Sequence, residues 1–153
     1  MVALAERLEG DKELWMLAGL LHDLDYEQTA EDPDNHGKIT VDMLKEYGDF
    51  PQELHDAVLA HAGHKKPESD FETSLYAIDP TTGLIVAAAL MHPEKKLSAL
   101  DVRFIMRRFK EKRFAAGADR NQMMAVEKLG LNIEEFIGIC LESMKSIALE
   151  LGL

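Results

Sequence analysis

Apolar positions along this chain recur at helical spacing, and no segment alternates strictly enough to predict a strand. Residues 2–9 read as the end of a helix closed by Gly10. Asp11 can cap a second helix whose body, ELWMLAGLLHDL, is apolar almost all round and is therefore expected to be central and buried. The polar stretch EQTAEDPDNHG, with Pro33 and Gly37, predicts a loop. Helices are expected over 36–47, ending at Gly48, and over 51–62, with Pro51 at a first turn and Gly63 past the end.

After the polar linker HKKPESD, the pattern predicts a helix over 70–79 and a break at Asp79-Pro80. An apolar helix, TGLIVAAALM, then ends at His92-Pro93. Ser98 is the expected cap of a basic helix over 99–112, and a short helix follows over 121–129. Asn132 with Glu135 resembles a capping box opening the last helix. There Ile133, Phe136, Ile137, Cys140, Leu141, Met144 and Ala148 form one core-facing stripe. No internal repeat or low-complexity tract interrupts the pattern. The expectation is an all-α helical bundle, a single domain over 1–153 with a core over about 11–92 and a helical extension over about 97–153.

The 153 residues suffice for a substantial core. No run of 18 apolar residues occurs, and the N-terminal MVALAERLEG lacks a basic leader, so neither a membrane span nor a secretory signal is expected. Cys140 is the lone cysteine and sits in an apolar stretch, which fits a buried structural thiol and a cytoplasmic setting. The net charge of −11 argues against general nucleic-acid binding. It is unevenly spread. Residues 95–113 hold Lys95, Lys96, Arg103, Arg107, Arg108, Lys110, Lys112 and Arg113 against Asp101 and Glu111, a local net of +6 that leaves −17 elsewhere. That segment is either a solvated helix face or an anion-attracting rim.

The chemical anomaly is His22-Asp23. An imidazole and a carboxylate at the end of an apolar helix need partners, and a metal ion satisfies both. A hydrogen-bonded structural pair is the alternative. His36 opens one following helix, His61 lies near the end of the next, and Asp79 ends the one after that. One ligand-type residue per successive helix is what a bundle needs to build a metal site in its core. Imidazole and carboxylate ligands suit manganese, iron, nickel, cobalt or magnesium, and one cysteine excludes a thiolate zinc site. His36, His61 and His64, each taken alone, could equally be surface residues.

LLHDLDYE resembles the signature of the HD superfamily of metal-dependent phosphohydrolases, whose pattern is a first His, a His-Asp pair, a distant Asp and two optional His residues. His22 and Asp23 match the central pair, Asp79 in LYAIDPTTGLIVAAAL matches the final Asp, and His36 and His61 match the optional pair in order. The segments AIDPTTGL, FKEKRFAAGADR and LGLNIEEFIGICLESMKSIALELGL resemble one group of small bacterial HD-domain proteins. The resemblance implies a divalent-metal-dependent phosphohydrolase acting on a nucleotide or other small phosphoester. Asp23 and His22 would be catalytic, with His22, Asp23, Asp79, His36 and His61 as metal ligands. Lys110, Lys112 and Arg120 are the candidate phosphate-binding cations, and Asp25 and Tyr26 follow the motif closely enough to line the pocket.

One departure bears on activity. The family's first His lies on a helix upstream of the His-Asp pair, and no His precedes His22 here, so MVALAERLEG resembles only the tail of that helix. The alternative implication is a catalytically impaired metal- or nucleotide-binding module, or an oligomeric scaffold. A shortened first helix would also leave apolar surface exposed around 14–24, from which a homo-oligomer is expected.

Overall fold

A computed structural model describes all 153 residues and contains helices and turns without strands, so the fold is all-α, as the periodicity predicted. The chain divides into two compact units, Met1–Tyr76 and Ala77–Leu153.

The first unit begins with α1 (Val2–Arg7) and α2 (Lys12–Leu21), which pack together. Asp11 caps α2 as expected, its carboxylate accepting the backbone N–H of Glu13 at 2.9 Å and of Leu14 at 3.2 Å. A one-turn helix, α3 (Tyr26–Thr29), interrupts the loop that the composition predicted. Then come α4 (Lys38–Tyr47) and α5 (Gln52–His61), with α5 packing against both α2 and α4. Leu4, Trp15, Ala18, Leu44, Leu54 and Val58 form the unit's core, and the Trp15 ring lies 5.5 Å from that of Phe71.

The expectation that α2 is buried all round does not hold. Trp15 and Ala18 are buried, whereas Met16 is 50% and Leu20 73% exposed, so one apolar stripe of α2 faces outward. On α5, His55 is buried with no hydrogen-bond partner for either ring nitrogen, a feature the sequence pattern did not signal.

The expected break at Asp79-Pro80 is also absent. A single helix, α6 (Asp70–Met91), runs through Pro80. Proline supplies no N–H and crowds the preceding turn. Here Thr81 Oγ1 donates to the Ala77 carbonyl at 2.7 Å and Thr82 Oγ1 to the Asp79 carbonyl at 2.9 Å, adding side-chain hydrogen bonds to the turns around Pro80. By length and composition α6 could cross a bilayer, with mean hydropathy 1.4. Half of the window concerned is nevertheless buried within the chain, as in a core helix.

The second unit continues with a 3₁₀ turn at Leu97–Ala99 and α7 (Val102–Lys110). Asp101, not Ser98, caps α7, accepting Phe104 N–H at 2.7 Å, because the chain is still turning in 3₁₀ form at Ser98. Next are α8 (Arg120–Met124), a 3₁₀ turn over Ala125–Leu129, α9 (Ile133–Ser146) and α10 (Ala148–Leu151). Asn132 caps α9, and Phe136, Ile137, Cys140, Leu141 and Met144 are buried along its predicted stripe, which packs against α7.

Candidate metal centre

The site is built where three helices of the first unit end or begin. His22 is the residue immediately after α2, Asp23 follows in the turn, His36 lies just ahead of α4, and His61 is the last residue of α5. Each imidazole is oriented by its Nδ1 edge. His22 Nδ1 faces the Gly19 carbonyl at 3.1 Å, His36 Nδ1 faces the Asp25 carboxylate at 2.9 Å, and His61 Nδ1 faces the Val58 carbonyl. A carbonyl or carboxylate oxygen can only accept, so each Nδ1 carries the proton and each Nε2 presents a lone pair.

These lone pairs converge. His36 Nε2 lies 3.2 Å from His61 Nε2, and Asp23 Oδ1 lies 3.4 Å from each of them. His22 Nε2 is 3.5 Å from Asp23 Oδ2, and the rings of His22 and His61 meet edge-on at 4.9 Å. One ligand atom from each of His22, Asp23 and His61 falls within 4.8 Å of the others. The His22, Asp23 and His61 acceptors, with His36 Nε2 beside the last two, repel one another unless a cation sits among them. A tetrahedral ion at about 2.1 Å from each ligand would space those ligands roughly 3.4 Å apart. The residues present therefore fit a divalent cation.

Electrostatics agree. Burial by itself would raise the Asp23 carboxyl, but the neighbouring His61, His22 and His36 imidazoles outweigh it and hold the group below its ordinary 3.8. Asp23 stays ionised, as a ligand must be.

Behind the cluster lies a residue whose part the sequence did not show. Asp25 is 0% exposed. Its Oδ1 accepts from His36 Nδ1, while its Oδ2 accepts the backbone N–H of Gly37 at 2.7 Å and of Thr40 at 3.0 Å. One carboxylate thus orients a cluster imidazole and caps α4 from 12 and 15 residues away. The turn needs Gly37, since φ is +76° and a Cβ would lie 2.7 Å from that of Ala62. His64 Nε2 bonds the His36 carbonyl at 2.7 Å and braces the same turn.

The remaining candidates fall in the second unit. Asp79 is half-buried on α6 one residue before Pro80. Lys110 ends α7 and Lys112 follows, both exposed and without a carboxylate partner. Arg120 has a different occupation from the one expected. Its five N–H groups reach the carbonyls of Phe109, Ala115, Ala118, Arg108 and Phe114, fastening the loop after α7 around the guanidinium. Burial, opposed by Asp119, lowers its pKa below the usual value. A side chain so engaged has no fork left for phosphate. Lys112 and Arg120 also line an open depression of about 450 Å³.

The HD domain family matches residues 1–124. Ribonuclease Y of Desulforudis audaxviator (strain MP104C) is 38% identical over 76 residues, which are 50% of this chain and 15% of that protein. Ribonuclease Y of Sulfurovum sp. (strain NBC37-1) is 32% identical over 76 residues, with the same shares. This chain thus spans 15% of the length of those curated relatives. No solved structure matches it. With four-fifths of its length matched by a family of metal-dependent phosphohydrolases, and a histidine–aspartate group able to hold a divalent ion, this chain belongs to the HD domain family.

Proposed function

We propose that the chain is a divalent-metal-dependent phosphohydrolase acting on a nucleotide or other small phosphoester. The observation that carries this reading is the convergence of His22, Asp23 and His61, with His36 beside Asp23 and His61 and each imidazole oriented through its Nδ1. A bound divalent ion lowers the pKa of a water ligand and polarises a phosphoryl oxygen. His22, Asp23, His36 and His61 hold it, and the resemblance extends the set to Asp79.

Asp23 has two tasks. One oxygen serves as a ligand, while the other accepts a proton from the attacking water, for which its 38% exposed side chain leaves access. His22, fixed through Nδ1, keeps its Nε2 toward that carboxylate. The two relatives are ribonucleases by name, so their substrate is a phosphodiester, RNA, which is larger than the small phosphoesters proposed here but shares the bond to be cleaved. Lys110 and Lys112 are available to a phosphate, being unpaired. The outward apolar stripe of α2 supports a homo-oligomer.

The test is metal content and turnover together. Purified protein should carry a divalent ion stoichiometrically and release phosphate from p-nitrophenyl phosphate or a nucleotide with manganese. His61→Ala and Asp79→Ala should each lower metal content. Wild-type protein that binds no metal would remove the proposal. Full metal with no turnover on mono- or diesters would favour the impaired binding module.

A further inference from the structure

Beside His36 the surface forms a pocket of about 240 Å³ lined by Tyr26, Thr29, Ala30, Pro33 and His36. Tyr26 opens α3 with 64% of its surface exposed, and no other ring or polar group of the chain engages its side chain. The Thr29 hydroxyl donates to the Asp25 carbonyl at 2.9 Å, and His36 Nδ1 is held by Asp25. Ala30 and Pro33 are apolar. No wall of the pocket therefore offers a free cationic donor, and its largest feature is an unoccupied aromatic face.

The surroundings are acidic. Residues 22–38 carry Asp23, Asp25, Glu27, Glu31, Asp32 and Asp34 against Lys38 alone, and the Lys38 ammonium is tied to the Asp34 carbonyl at 2.7 Å. Such a rim repels added phosphates. It leaves the metal cluster as the place for one phosphoryl group and the pocket for an uncharged portion of the ligand. We infer that this pocket is a subsite for a planar, uncharged ring carried by the substrate and stacked on Tyr26, and that it favours monophosphates over polyphosphates. The inference rests on the phosphohydrolase reading for the position of the phosphate, and on the pocket itself for the ring.

The test uses the full chain loaded with manganese. Adenosine 5′-monophosphate, ribose 5-phosphate and adenosine 5′-triphosphate are titrated calorimetrically, with released phosphate assayed in the same samples. Stacking on one exposed ring should make the adenosine monophosphate bind about five- to tenfold tighter than ribose 5-phosphate. The triphosphate should bind no tighter than the monophosphate. Tyr26→Ala and Ala30→Leu should bring the ring preference toward unity, and Tyr26→Phe should retain it. Equal binding of the ring-bearing and ring-free monophosphates, or a preference untouched by both Tyr26→Ala and Ala30→Leu, overturns the inference. Ring preference without phosphate release supports the pocket and counts against hydrolysis instead.

Discussion

Replacing Asp25 by Asn tests whether the cluster is a metal centre or a structural knot. The substitution conserves shape but exchanges one accepting oxygen for a donating NH2. In the native site, Oδ2 takes two backbone N–H groups and Oδ1 takes the His36 Nδ1 proton. The amide oxygen is expected to keep the two backbone donors, which are fixed to α4, so the NH2 must face His36. The imidazole then relocates its proton to Nε2, the atom 3.2 Å from His61 Nε2 and 3.4 Å from Asp23. A protonated Nε2 cannot ligate. Loss of such an outer carboxylate typically costs about tenfold to a hundredfold in metal affinity, or about 1.4–2.7 kcal/mol. Charge-assisted bonds lost at a fully buried site add a destabilisation of about 1.5–3 kcal/mol.

The assay is calorimetric titration with manganese of metal-stripped wild type and Asp25→Asn, with thermal unfolding of both metal-free proteins alongside. The prediction is a weaker manganese affinity by at least about tenfold and a smaller rise in Tm on metal addition. A variant that loses stability yet binds manganese within twofold of wild type would refute the reasoning, because Asp25 would then serve α4 and not the cluster.

Four further outcomes follow from the same contacts. Arg120→Ala leaves five carbonyls without their donor and should cost at least about 2 kcal/mol in chemical denaturation, whereas Lys112→Ala should change stability by less than about 0.5 kcal/mol. If Lys110 and Lys112 contact phosphate, Lys110→Ala and Lys112→Ala raise KM more than they lower kcat, as steady-state kinetics would show. His55→Leu removes a buried imidazole with two unpaired nitrogens and should stabilise the protein by about 1–3 kcal/mol, read as a higher Tm. Burial pushes the Cys140 thiol from 9.0 up to about 12. The native state then keeps a proton that the unfolded chain releases, so stability is whole below pH 9 and is lost as pH rises toward 12. The slope is at most about 1.4 kcal/mol per pH unit, and Cys140→Ala should abolish that part of it.

The helices and the candidate His-Asp group were legible for different reasons. Periodicity marked α4, α5 and the buried stripe of α9, because an amphipathic helix writes its core contacts at fixed spacing. It misjudged α2, because an apolar residue states what burial would gain, not whether a neighbour is there to provide it. Leu20, 73% exposed, reads in sequence like Ala18, fully buried. Pro80 misled for a related reason. Proline is a local signal that a breaker rule reads alone, and α6 runs through it with Pro80 and Thr81 buried.

Asp25 and Arg120 show where one chain read by itself runs out. His22 and Asp23 stood out as polar groups at the end of an apolar helix, an anomaly visible from composition. Asp25, two residues later, stood among acidic loop residues that look alike, and only folding separates them. Asp32 meets Asn35 at the surface, while Asp25 turns inward to Gly37 and Thr40. Arg120 was grouped with Lys112 by charge, yet its planar five-donor fork suits a ring of carbonyls in a way that an ammonium does not. The sequence pattern identifies which chemistry is present. Which residue performs it and which one orients it depends on contacts made across a dozen residues or more, as between Asp25 and the first turn of α4.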